Sequence, residues 1–182
     1  MATRIEFKSD LTRGIEEAEG SDGRLNTSAR VDHRSYYISR DEGLSFSVPF
    51  DFQSAAAGEF GAYVKNTSST HDLVIEAIGV NAVEASRIKL AFVTGTAAAG
   101  TAVTPTNLNG SSSNAAEATA MEGASAGTGI TGLTAGNLID FLYVTATGHE
   151  EFRLNDRLRL GQNQAVALEY DEGTTGDFSG VI

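Results

Sequence analysis

Three histidines and 24 carboxylates are the side chains with which this chain would hold a metal ion or move protons near neutral pH; it has no cysteine. The histidines sit in the runs Asp32-His33, His71-Asp72 and His149-Glu150-Glu151. Neighbours along a strand point to opposite faces, so such runs do not converge on one ion. A structural metal needs three or more ligands converging, and no spacing here supplies them. Without cysteine there are no disulfides, zinc ribbons or thiol nucleophiles. Neither a Gly-x-Ser-x-Gly elbow nor an HExxH pair occurs. The run Gly123-Ala124-Ser125-Ala126-Gly127-Thr128-Gly129 lacks the Lys that a phosphate-binding loop requires, and predicts a flexible loop. No pair of carboxylates is singled out for acid–base work. The expectation is a protein without catalytic residues, cofactor or metal. Three Asn-x-Ser runs, at Asn26, Asn66 and Asn109, match the glycosylation pattern and read as chance.

Charge narrows the partners. The 182-residue chain carries a formal net charge of −11, with three Lys beside ten Arg. A general nucleic-acid binder needs a basic stripe against phosphates, and anionic membranes would repel this chain. No stretch approaches the ~18–20 unbroken apolar residues of a membrane helix. The first eight residues contain no apolar core of a leader peptide, which predicts no secretory signal.

Charge is also uneven along the chain. Residues 1–43 hold seven basic and nine acidic side chains, against six and fifteen in residues 44–182. Large apolar residues are sparse in the first segment, and a helix over 9–17 would carry Gly14 at a cost of ~1 kcal/mol. Such a segment cannot bury enough surface alone to offset its chain entropy. We therefore expect an extended N-terminal arm, residues 1–43, that orders on a neighbour. Ile5, Phe7, Leu11 and Ile15 would be its apolar anchors, and Arg4, Lys8 and Arg13 its polar register. Fully extended, such an arm spans ~140 Å.

Residues 44–182 read as strands. Leu44, Phe46, Val48, Phe50 and Phe52 alternate with polar residues at a strict period of two, and Pro49 on the opposite face marks a sheet edge. Further strands are expected over 60–66, 73–80, 87–95, 151–155, 156–160 and 165–171, with a final edge strand at 178–182. Residues 137–147 fit a long strand; an amphipathic helix is the rival, and β-branched and aromatic content without a cap favours the strand. The small-residue tract 96–131 reads mostly as loop, with extended pieces near 101–109 and 116–123. Eight or nine short strands with no βαβ alternation predict an all-β sandwich of jelly-roll type.

The run Tyr63-Val64-Lys65-Asn66-Thr67-Ser68 followed by Asp72-Leu73-Val74-Ile75-Glu76 makes a strand, a polar turn and a return strand. Thr101-Ala102-Val103-Thr104-Pro105-Thr106-Asn107-Leu108-Asn109 and Leu160-Gly161-Gln162-Asn163-Gln164-Ala165-Val166 come later. This succession, across roughly residues 45–182, resembles small β-sandwich virion structural proteins of tailed bacteriophages, of the capsid decoration (cement) type. The resemblance implies a non-enzymatic protein on the outer capsid surface of the virion, made in the host cytoplasm, whose partner is the major capsid protein. Neighbouring copies of the chain are a second partner, and closed symmetry favours a homotrimer. A tail, baseplate or head-fibre component is the alternative address. A carbohydrate-binding receptor module is the alternative function, and Tyr36, Tyr37, Tyr63, Tyr143 and Tyr170 are the only tyrosines that could build its groove.

Overall fold

The computed structural model describes residues 38–124, 127–172 and 176–182, and the backbone of two short segments before them. Those two segments, β1 (Glu6–Phe7) and β2 (Glu16–Glu17), pair antiparallel. A five-residue π-helical turn, Ile38–Glu42, leads into the body. The strands that follow are β3 (Phe46–Ser47), β4 (Pro49–Ser54), β5 (Glu59–Asn66), β6 (Leu73–Ala82) and β7 (Ser86–Ala98). After them come β8 (Thr101–Val103), β9 (Thr106–Asn107), β10 (Ala118–Glu122) and β11 (Thr131–Val144). β12 (His149–Leu160), β13 (Ala165–Glu172) and β14 (Gly176–Val181) complete the chain.

These strands build an all-β sandwich. One sheet has the order β11-β7-β13-β5-β10-β8, the other β12-β6-β14-β4, and β3 pairs with β9 apart from both. Every pairing between the named strands is antiparallel. Period-two alternation is what puts the core between the sheets. In β4, Phe50, Phe52 and Ser54 are buried while Pro49, Asp51 and Gln53 are exposed. Ile78 and Val80 from β6, Ile88 and Leu90 from β7, and Leu168 and Tyr170 from β13 meet them. Each large apolar side chain buried this way stabilises the fold by about 1.5–3 kcal/mol.

Phe178 of β14 is the hub. It meets Phe52 edge-on at 5.2 Å and Phe50 at 6.0 Å, and stacks on Tyr170 at 6.1 Å. This cluster explains two glycines. A Cβ on Gly61 would overlap the rings of Phe178 and Phe52, and one on Gly123 would overlap Phe52. Their missing side chains let the larger sheet close down on the aromatic rings.

The strand expected over 137–147 exists as β11, which begins earlier, at Thr131, and ends at Val144, and Pro49 does lie on an edge strand, β4. Four details differ from the sequence reading. Leu44 is 46% exposed rather than sharing the face of Phe50 and Phe52, because the chain joins β9 through β3 before it enters β4. The C-terminal strand β14 is interior, inserted between β6 and β4. The two pieces 151–155 and 156–160 form one strand, β12, with a register shift between Arg153 and Leu158. The strand expected over 87–95 runs on to Ala98, into the small-residue tract; the extended pieces expected near 101–109 and 116–123 are present as β8, β9 and β10, and β10 lies between β5 and β8 in the larger sheet. Small side chains suit that position, since Ala120 of β10 is buried beside Val48 and Val64.

Candidate functional site

The two described histidines do not meet. His71 sits in the β5–β6 turn, with Nδ1 2.8 Å from Thr70 Oγ1 and 3.8 Å from Glu117 Oε2. His149 starts β12, where its Nδ1 lies 2.9 Å from Asn81 Oδ1. Among the described residues no group of three or more His, Cys, Asp or Glu converges. Asn66 is buried, with its amide committed to protein partners, so the Asn-x-Ser run there is a turn and not an acceptor for sugar. Of the five tyrosines, Tyr170 is fully buried and Tyr63 is 3% exposed, while Tyr143 is 65% exposed. Tyr36 and Tyr37 lie outside the described residues.

The feature that stands out is β11, which among the described residues forms one edge of the larger sheet. β11 is 14 residues long and pairs on one side with β7. It carries one charged residue, Asp140. Register shifts fall between Thr131 and Leu133, Ala135 and Leu138, and Leu138 and Asp140. The last of these shifts has a chemical consequence. Leu138, Phe141 and Tyr143 lie opposite Ala91, Lys89 and Arg87, which are alternate residues of β7 and so share one face. The extra residue aligns Leu138 with the two aromatics; in an unbroken strand it would point to the opposite side. The result is an exposed apolar row, 48%, 38% and 65% exposed, along the outer face of the edge.

Next to this row the sheet carries charges that neutralise one another. Arg87 pairs with Asp171, and Lys89 pairs with Asp171 and with Glu169, the latter at 3.1 Å. The Arg87 guanidinium also lies 5.2 Å from the Phe141 ring centroid and 5.9 Å from that of Tyr143, within cation–π range. The hydrogen bond to Asp171 pushes the Lys89 amine above its ordinary value against partial burial, and Glu169 adds to the rise. Burial alone would raise the Asp171 carboxyl, but hydrogen bonds and charge from Lys89 and Arg87 outweigh it and hold it below the usual carboxylate range. Both groups therefore stay charged near neutral pH. Further along the same strands an open cleft of about 430 Å³ is lined by Tyr63, Lys65, Phe92, Asn137, Asn163 and Gln164 among others. Burial pushes the Tyr63 phenol up. Such a lining can hydrogen-bond and pack.

A second feature is the take-off point of the N-terminal segment. Gly43 has φ +62° and is buried, and its carbonyl accepts from Asn107 Nδ2 at 2.8 Å. Asn114 Nδ2 donates to the Glu42 carbonyl at 2.9 Å, and the Leu108 N–H donates to the Ser45 carbonyl at 2.9 Å. The loop around 107–114 thus clasps the chain where it enters the body. A Cβ on Gly43 would overlap Ser112, so this close approach requires glycine as well as the left-handed backbone.

The arm residues Arg4, Ile5, Lys8, Leu11, Arg13 and Ile15 lie outside the described residues, and Phe7 is placed only as a backbone position in β1. Sequence reasoning missed both the apolar row and the clasp. Asn107 and Asn114 stand in a tract read mostly as loop, where Asn and Ser side chains are natural partners for backbone groups. For the row, the only trace was its apolar content, since a bulge leaves no period to read. No family model, no curated protein and no solved structure matches the chain. Fold and surface together define an all-β sandwich that, among the described residues, presents an exposed apolar row along one sheet edge and holds the chain at Glu42 and Gly43 by side-chain hydrogen bonds.

Proposed function

We propose that this chain is a non-enzymatic structural protein of a tailed-phage virion, which decorates the capsid and stabilises it by binding the major capsid protein. The observation that carries the reading is the clasp at Gly43. It gives residues 1–37 a fixed origin on a rigid sandwich, as a clamp between neighbouring subunits needs. A segment that orders on a neighbour pays its ordering entropy at the moment of binding. Many weak contacts repeated over a symmetric shell then add through multivalency. The jelly-roll reading is supported by the nesting of the strands: β4 pairs with β14, β5 with β13, β6 with β12 and β7 with β11.

The test is cosedimentation of the full chain with expanded phage shells that lack it. The variant with Ile5, Phe7, Leu11 and Ile15 all changed to Ser keeps the body and should lose shell occupancy. Equal occupancy by the two proteins refutes the reading.

A further inference from the structure

We propose that the cleft beside Lys65 binds a sugar ring that carries a carboxylate, of the uronic acid class. Lys65 holds the carboxylate, and the side-chain amides of Asn137 and Asn163 hold ring hydroxyls. The site lies within the described body and is independent of shell binding.

The cleft, about 430 Å³, is of small-ligand size. Its walls are built by two devices. On one side, the turn before β13 is locked to the end of β5. The Asn66 N–H donates to the Gln164 carbonyl at 3.0 Å, and the Asn163 N–H donates to the Asn66 carbonyl at 2.9 Å. The Gly161 N–H donates to Gln164 Oε1 at 2.8 Å. Asn163 takes a left-handed backbone, φ +64°, which Asn adopts more readily than most residues. Lys65 and Asn163 therefore project from backbone that is already fixed, which lowers the entropy cost of binding. On the other side, β11 carries one extra residue, so that Gly136 and Asn137 together oppose Phe92. Gly136 permits the close approach, because a Cβ on it would stand 3.0 Å from the Phe92 carbonyl oxygen. The bulge leaves Asn137 lining the cleft.

The chemistry of the lining selects the ligand. Lys65 is half-buried, and its neighbours across β10 and β13 are Thr119 and Ala165, neither of which can neutralise it. Among the described residues, Arg87, Lys89 and Arg153 have carboxylate partners, whereas Lys65 has none, and no carboxylate lines the cleft. A concave site with an uncompensated ammonium attracts an anion. The side-chain amides of Asn137 and Asn163 are also without partners among the described residues. Each amide both donates and accepts, as a sugar hydroxyl does. Neither ring in the lining offers an open face for stacking: Tyr63 is 3% exposed, and Phe92 packs against the core. A neutral sugar would lack its usual platform, so charge must supply the grip. A peptide strand is a poor occupant here, because the bulge interrupts the regular edge that main-chain pairing requires.

The test is a ligand-observed NMR titration of the full-length protein with galacturonate, its linear tetramer, galactose, glutarate and a short glutamate-containing peptide. Galacturonate should bind at least tenfold tighter than galactose, which lacks the charge, and than glutarate, which lacks the hydroxyls. Lys65→Met should weaken uronate binding about tenfold or more, and Asn137→Ala about threefold or more. Arg153→Met, which removes an exposed cation from the smaller sheet, should change it less than about twofold. Far-UV circular dichroism checks that each variant is folded; Asn137 is exposed on an edge strand, so its variant carries the test if Lys65→Met is destabilised. A tetramer bound more tightly than the monosaccharide supports the site with an acidic polysaccharide as the source, and equal affinities support it with a free sugar acid. The inference is overturned if neither uronate binds, if galactose, glutarate or the peptide binds as tightly as galacturonate, or if the folded variants at Lys65 and Asn137 bind like the parent.

Discussion

Asn66 ties three parts of the sandwich together, and its replacement tests the packing argument directly. It ends β5 and is 1% exposed. Its Nδ2 donates to the carbonyls of His71 and Leu160, both at 2.8 Å, and its Oδ1 accepts from the Ser68 N–H at 2.8 Å. The amide therefore joins the β5–β6 turn to the end of β12, across the two sheets. Asn66→Ala removes all three bonds. The Leu160 carbonyl and the Ser68 N–H would be left buried without a partner, at about 1–3 kcal/mol each; the partly buried His71 carbonyl can turn to water. The expected loss is about 3–4 kcal/mol, a large share of the ~5–15 kcal/mol that holds a domain folded.

Asn66→Asp keeps the shape and inverts the chemistry. An ionised carboxylate would face two carbonyl oxygens with no proton to give, so at neutral pH this variant should be less stable than Asn66→Ala. Burial and the facing oxygens raise the carboxyl's pKa in the folded protein above its unfolded value of ~3.9. A raised folded value means the variant is best off below ~3.9 and loses stability as pH rises through the folded value. Urea unfolding followed by far-UV circular dichroism at several pH values measures this, with exposed Thr67→Ala as a control expected within about 0.5 kcal/mol of the parent. An Asn66→Ala cost below about 1 kcal/mol, or a pH-independent gap between Asn66→Asp and the parent, would refute the hydrogen-bond accounting.

Two further predictions follow from other buried groups. Among the described residues the buried Tyr170 hydroxyl has no hydrogen-bond partner, so Tyr170→Phe keeps the stack on Phe178 and should stabilise the fold by about 1 kcal/mol; a loss of stability would show that the hydroxyl has a role in the core. Because Asp171 is held low when folded, its contribution is present above ~3.9 and lost as pH falls through its folded value; Lys89, held high, contributes below ~10.4 and loses this as pH rises through its folded value. Asp171→Asn should therefore flatten the acid side of the stability profile, and an unchanged acid limb would sink the ion-pair argument.

Much of the sandwich is legible in local patterns. The alternation over 46–52 identifies the buried face of β4, and Pro49, which has no N–H to donate, belongs on an edge because an interior strand would need that donor. The turn at 161–164 and the strand after it stand where polar and apolar residues change over. Other features have no local trace. Phe178-Ser179-Gly180-Val181 reads the same at an edge as in the interior, and β14 is interior because β4 and β6 lie on either side of it, roughly a hundred residues earlier in the chain. The edge position of β11 and the bulge that aligns Leu138 with Phe141 and Tyr143 are likewise matters of pairing.

What the amino-acid order determined by itself is which residues turn inward, since the pleat alternates side chains whatever strand lies beside them. It also determined the chemistry available: no thiol anywhere, and histidines in separate stretches of chain. Only the tertiary structure decided which strands lie at the sheet edges among the described residues, where Asn107 and Asn114 hold the chain at Gly43 and Glu42, and which ions cancel beside the apolar row. The reason is that strand partners are chosen by contacts between residues far apart in sequence, whose free energy no window of neighbouring residues contains.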